Sequence, residues 1–206
     1  MVKTKSVYSV HPSVPAMQKW AATLKEKSGR SLEEWLTLVK KSGPAGEQAR
    51  REWLKKAHGL GTNSAVRIAE RAEGEGEEMF DPELYLNAAE RWVAEMFAGA
   101  KNSLLPIYEE LLRLGLGLGS DVKVCPCQTI VPFYRNHVFA QVKPATATRI
   151  DFGFALGARK AQGRLIETGG YAKKDRITHR IAISSPAEID SEVKRWMRVA
   201  YDEDAS

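Results

Sequence analysis

The 206-residue chain has little of what would mark a membrane-bound, secreted or disordered protein. It holds two cysteines, spaced as Cys125-Pro-Cys127, so no disulfide framework staples it and a reducing cytoplasm is the expected setting. No run of about 18 apolar residues occurs, and no apolar stretch follows the basic Met-Val-Lys-Thr-Lys start. Neither a membrane span nor a signal peptide is expected. A composition of 43% hydrophobic and 28% charged residues excludes a disordered chain and implies a folded core. Phosphate loops of the Walker and Rossmann kinds are missing too, because Gly115-Leu-Gly-Leu-Gly119 ends a helix instead of opening one. The histidines at positions 11, 58, 137 and 179 are scattered, and with a single Cys-X-Cys pair no metal site is expected. No nucleophile–base pair or carboxylate cluster stands out, and a lone Asp151 is poor support for metal-dependent hydrolysis. The expectation leans away from an enzyme, with no cofactor.

What is present is a segregated charge. Residues 1–72 carry 14 Lys and Arg against 6 Asp and Glu, residues 73–110 carry 2 against 10, and the remainder carries 15 against 10. A basic opening module points to an anionic partner. The competing reading is that the acidic stretch neutralises it within the same molecule.

The local pattern divides the chain into a basic all-helical module (1–72), an acidic glycine-containing linker (73–83) and an α+β domain (84–206). Helices are expected from Pro15 to Lys27, from the capping box Ser31-Leu-Glu-Glu34 to Gly43-Pro44, from Gly46 to Ala57, and from Thr62 onward. Asp81-Pro82 opens a fifth, with Tyr85, Ala88, Ala89, Trp92, Val93, Met96 and Phe97 on one stripe. A sixth spans Ser103 to Leu114. From Val122 the apolar period falls towards 2, giving strands at 122–127, 129–135, 137–143, 148–156 and 177–184, with Arg135-Asn136-His137 as a hairpin turn. A last helix follows Ser185-Pro186. The fold class is therefore α+β: a four-helix module, then an antiparallel sheet with helices packed on one face. The five Trp residues (20, 35, 53, 92, 196) all fall on helices and read as core anchors.

Two constellations are candidates for binding. Lys55-Lys56-Ala57-His58-Gly59-Leu60-Gly61-Thr62-Asn63 resembles a helix-hairpin-helix turn. Its two glycines would let a phosphate approach the backbone, the amides at Gly61, Thr62 and Asn63 would hold it, and Lys55, Lys56, Arg67 and Arg71 would add attraction without sequence preference. Duplex or single-stranded DNA is the expected partner. The alternative is an ordinary turn in which Gly59 stops one helix and Thr62 caps the next. The second candidate is the sheet face opposite the helices. Alternation places Phe139, Gln141, Lys143, Arg149 and Asp151 there, with Arg180 and Arg135 joining. Such a face suits a small anionic ligand, or else is a solvated ladder of little energetic weight. His179, in register with Ile181 and Ile183, reads as a hydrogen-bonded core residue. A third reading is a structural or adaptor protein.

The pieces Gly29-Arg-Ser-Leu-Glu-Glu-Trp-Leu36 and His58-Gly-Leu-Gly61 resemble a bacterial domain family of unknown function. Pro106-Ile-Tyr108, Lys143-Pro-Ala-Thr146, Thr148-Arg-Ile-Asp-Phe-Gly153 and Thr178-His-Arg180 resemble a second uncharacterised family joined to it. The resemblance implies a two-domain arrangement and no activity. More remotely, the helix–helix–sheet–helix order resembles frataxin-like iron-chaperone candidates, although this chain lacks the acidic cluster an iron carrier would use.

Overall fold

The structure is a computed structural model that describes residues 6–205. Contacts divide it into one unit from Val10 to Tyr85 and another that comprises residues 6–9 and the chain from Leu86 onward.

The first unit holds four helices: α1 (Ser13–Ser28), α2 (Leu32–Ser42), α3 (Glu47–His58) and α4 (Thr62–Ala72). The Ser31 hydroxyl accepts from the Glu34 amide at 3.2 Å while the Glu34 carboxylate accepts from the Ser31 amide at 2.7 Å, the reciprocal cap that the sequence pattern calls for. Leu24, Leu32, Trp35, Val39, Leu54, Leu60, Ala65, Ile68 and Ala69 form its core, with Trp20, Trp53 and Phe80 partly buried against it. The acidic segment read as a linker at 73–83 lies inside this unit. Glu73 and Glu77 there pair with Arg50 and Arg71.

α5 (Pro82–Met96) starts at the expected cap, where Asp81 Oδ1 accepts from the amides of Glu83 and Leu84 at 2.7 and 2.9 Å. All seven residues of its predicted stripe are buried. α6 (Leu105–Leu116) follows. The sheet then runs β1 (Lys123–Val124), β2 (Val131–Tyr134), β3 (Val138–Pro144), β4 (Ile150–Phe154), β5 (Ile166–Glu167) and β6 (His179–Ile183), with α7 (Ser191–Glu203) last. The six strands lie in the order β1-β2-β3-β4-β6-β5, every pair antiparallel. α6 and α7 pack on the sheet. β1 is shorter than the expected 122–127 because Pro126 and Pro132 carry no amide for a ladder. The two-residue β5, set within the long connection from β4 to β6, has too few residues to show a period.

One register feature changes which side chains face out. Phe133 pairs with Ala140 and Tyr134 with Val138, so Phe139 has no partner on β2 and forms a bulge. The extra residue turns Phe139 and Ala140 together towards the core. Phe139 is fully buried, 5.6 Å from the Tyr201 ring of α7 and 6.3 Å from Phe133. Strict alternation had placed Phe139 on the open face and Val138 inside, and the bulge reverses both.

Candidate functional site

The turn between α3 and α4 is built by two glycines doing different work. Gly59 ends α3 with φ +66°, the left-handed conformation that other residues resist, and its amide returns to the end of α3. Gly61 has φ −62°, within the range of any residue, and takes the cap position of α4. Thr62 is the first helical residue, so it does not cap the helix as the alternative reading had it. No side-chain cap bond is made at the start of α4 among the described residues. The amides of Thr62, Asn63 and Ser64 meet no acceptor among the described residues, and Ala65 is the first to bond back, to the Gly61 carbonyl at 3.0 Å. Leu60 is buried, whereas Gly59, Gly61, Thr62 and Asn63 are exposed. A side-chain carbon built on either glycine would touch nothing within 4 Å, so the corner has open space on its outer side.

The charges near this corner are unevenly committed. Lys55 and Lys56 both reach Glu52, at 3.4 and 3.3 Å, and Lys56 stays 80% exposed. Arg67 lies over the Trp20 ring at 5.1 Å. The acidic segment acts at the other ends of the two helices. Glu73 holds Arg50 near the start of α3, and Arg71 near the end of α4 donates to the Glu75 carbonyl and pairs with Glu77 at 3.7 Å. It therefore neutralises the far end of the hairpin and leaves the corner end open. Sequence reading missed Arg30, whose guanidinium lies 5.0 Å above Trp35, itself 5.4 Å from the His58 ring at the end of α3. Nothing in a linear pattern links position 30 to position 58. Trp53 also packs edge-on against His58, at 4.4 Å, so two indoles hold the last residue of α3 before the turn.

In the second unit four of the seven residues predicted for the sheet face come together. Gln141, Lys143, Asp151 and Arg180 line one cavity of about 420 Å³ with Val138, Gly153, Thr168, Asp175, Arg176 and Ile177. Register explains the grouping: Gln141 lies opposite Gly153 and Gly153 opposite Arg180, while Lys143 lies opposite Asp151. Asp151 Oδ1 accepts from Arg180 Nη1 at 3.0 Å, and Arg149 Nε stands 3.0 Å from the same oxygen. Arg149 supports Asp151 without lining the cavity. Phe139 is in the core. Arg135 turns away as well, donating to Asp121 at 2.7 Å and lying 4.2 Å over the Tyr201 ring. The wall contributed by residues 168–177 belongs, up to Ile177, to a connection with no period to read, and pattern alone does not place it. His179 is buried at 1% exposure, its ring nitrogens 2.9 Å from the Thr178 hydroxyl and 2.7 Å from the Arg159 carbonyl, the core role expected of it.

Cys125 is buried and Cys127 partly so. Burial pushes the Cys125 thiol up to about 12, with Cys127 beside it adding to the rise. Among the described residues no helix is long and apolar enough to cross a membrane.

Comparison with known families finds two matches. A model described as Domain of unknown function (DUF4287) matches residues 16–74, and one described as Domain of unknown function (DUF5655) matches residues 93–204. No curated protein and no solved structure matches the chain. The two-family arrangement agrees with the resemblance read from the sequence, and the frataxin-like similarity finds no support.

Proposed function

The chain belongs to the family described as Domain of unknown function (DUF5655), and we propose that it is a non-enzymatic protein that holds nucleic-acid backbone, without sequence preference, at the Gly59-Leu60-Gly61 corner of its DUF4287 unit. The observation that carries this reading is the uncapped start of α4. Three successive amides make no hydrogen bond among the described residues, at a turn whose two glycines leave room for a phosphate. A helix start of this kind favours an anion both through its free N–H groups and through the helix dipole. Lys55, Lys56 and Arg67 stand on the flanking helices and Arg30 in the loop between α1 and α2, where they add long-range attraction and no base reading.

The test is fluorescence anisotropy of the full chain with labelled duplex and single-stranded DNA of two unrelated sequences. Binding should be equal for both sequences and should weaken steeply between about 50 and 200 mM salt, with a slope set by the few phosphates neutralised. The absence of any complex at low salt would remove the proposal.

A further inference from the structure

We infer that the open face of the sheet is a binding site for a small carboxylate that also carries a hydrogen-bond donor, an amine or a hydroxyl. This rests on the cavity in the second unit and is independent of the nucleic-acid reading.

The cavity has a built wall. Thr168 Oγ1 accepts from the Gly170 amide at 3.1 Å and donates to the Ile177 carbonyl at 3.1 Å, while the Asp175 amide donates to the Gly170 carbonyl at 2.9 Å. Arg176 is fixed by the Val138 carbonyl at 3.0 Å and by the buried Asp204. Gly153 lets this wall lie close to the sheet, because a side-chain carbon there would fall 2.6 Å from Ile177. The site is thus largely preformed, and about 420 Å³ falls in the range of small-molecule sites.

Its charges select the ligand. Arg176 is answered by Asp204, and Asp151 lies between Arg149 and Arg180. Arg180 spends Nη1 on Asp151, and its Nε and Nη2 have no partner among the described residues. The Lys143 ammonium and the Gln141 amide have none either, and both line the cavity. A guanidinium fork beside an ammonium suits a carboxylate. On the same wall the Asp175 carboxylate has no partner among the described residues. It disfavours a dianion such as phosphate by repulsion and calls for an N–H or O–H on the ligand.

Titration of the ¹⁵N-labelled full chain with four probes tests this: D-glucuronate (carboxylate with hydroxyls), L-glutamine (carboxylate with an ammonium), hexanoate (carboxylate alone) and glucose 6-phosphate (phosphate with hydroxyls). The expected result is that D-glucuronate or L-glutamine moves the amides of Gln141, Gly153 and Arg180, and binds more tightly than the other two. Lys143→Ala, at an exposed position, should weaken that binding about tenfold with an unchanged unfolding midpoint. Asp175→Asn should narrow the gap to glucose 6-phosphate. Failure of both preferred probes to move these amides, tighter binding of hexanoate or of the phosphate, or an undiminished response in Lys143→Ala would each overturn the inference.

Discussion

The amide of Leu60 donates to the Leu54 carbonyl at 3.2 Å, which ties the residue between the two glycines back to the helix it has just left. The Leu60 side chain is buried in the helical core, and this leaves the glycines on either side of it facing outward. The turn is thus anchored at its centre and open at its edges. A backbone phosphate site requires that combination, since the amides must be held in place before the anion arrives.

The two glycines should respond differently to substitution. Gly59→Ala forces a side chain into φ +66° and should lower stability by about 1–2 kcal/mol. Gly61→Ala sits at φ −62° with free space and should leave stability unchanged or slightly raised. The added methyl would nonetheless stand where a phosphate approaches, so DNA affinity should fall in Gly61→Ala. Denaturant unfolding and anisotropy on the same two proteins separate the effects. Equal loss of stability in both would contradict this account of the turn.

The bulge at Phe139 makes a sharp contrast between neighbours. Phe139→Ala should cost about 3–5 kcal/mol, as for any fully buried phenyl ring. Val138→Ala, on the cavity side and half-buried, should cost well under that. Comparable losses in the two variants, measured by urea unfolding, would mean that the register is wrong.

Alkaline pH should weaken the second unit. Burial raises the Cys125 thiol from its ordinary 9.0 to about 12, and burial also raises the Tyr108 phenol, whose oxygen lies 2.8 Å from that of Tyr8. Both groups ionise more readily in the unfolded chain. The stability they contribute is therefore whole below pH 9 and is lost as pH rises from 9 towards 12. Urea midpoints for the native protein should fall across this window, and those of Cys125→Ala should fall less steeply. A flat profile in both would refute the assignment.

Acid should loosen α7. The Asp190 carboxylate accepts from the amides of Glu192 and Val193 at 3.0 and 3.2 Å, and the Val193 amide is the chief reason its pKa lies below the ordinary 3.8. Stability from this cap is complete above pH 3.8 and disappears as pH drops through the lowered value. Asp190→Ala should cost about 1 kcal/mol at neutral pH and abolish that part of the acid dependence. An unaltered acid limb in the variant would show that Asp190 does not carry it.

Much of this architecture could be read from local pattern, because local physics decides it. The Ser31–Glu34 capping box, the Asp81-Pro82 start and the buried stripe of α5 each depend on neighbours within one or two helical turns. The sheet face was partly legible for the same reason, since alternation alone placed Gln141, Lys143 and Asp151 together. Alternation failed at Phe139, where one extra residue in β3 is decided by pairing with β2 and by the space beneath Tyr201. It also gave no sign of the wall from Thr168 to Ile177, which is held by a bond between its two ends and by bonds from Arg176 to the distant Val138 and Asp204. At the corner, the glycines and lysines were legible. Arg30 was not, because only the packing of Trp35 against His58 brings it near.

The most direct test of the central claim is an amide NMR titration of the full chain with a short duplex at low salt. The largest shifts should fall on Gly61, Thr62, Asn63 and Ser64, the unbonded start of α4, and should fade together as salt is added. If the duplex binds but perturbs amides elsewhere while these four stay fixed, or if nothing moves at all, the corner is not where nucleic acid is held.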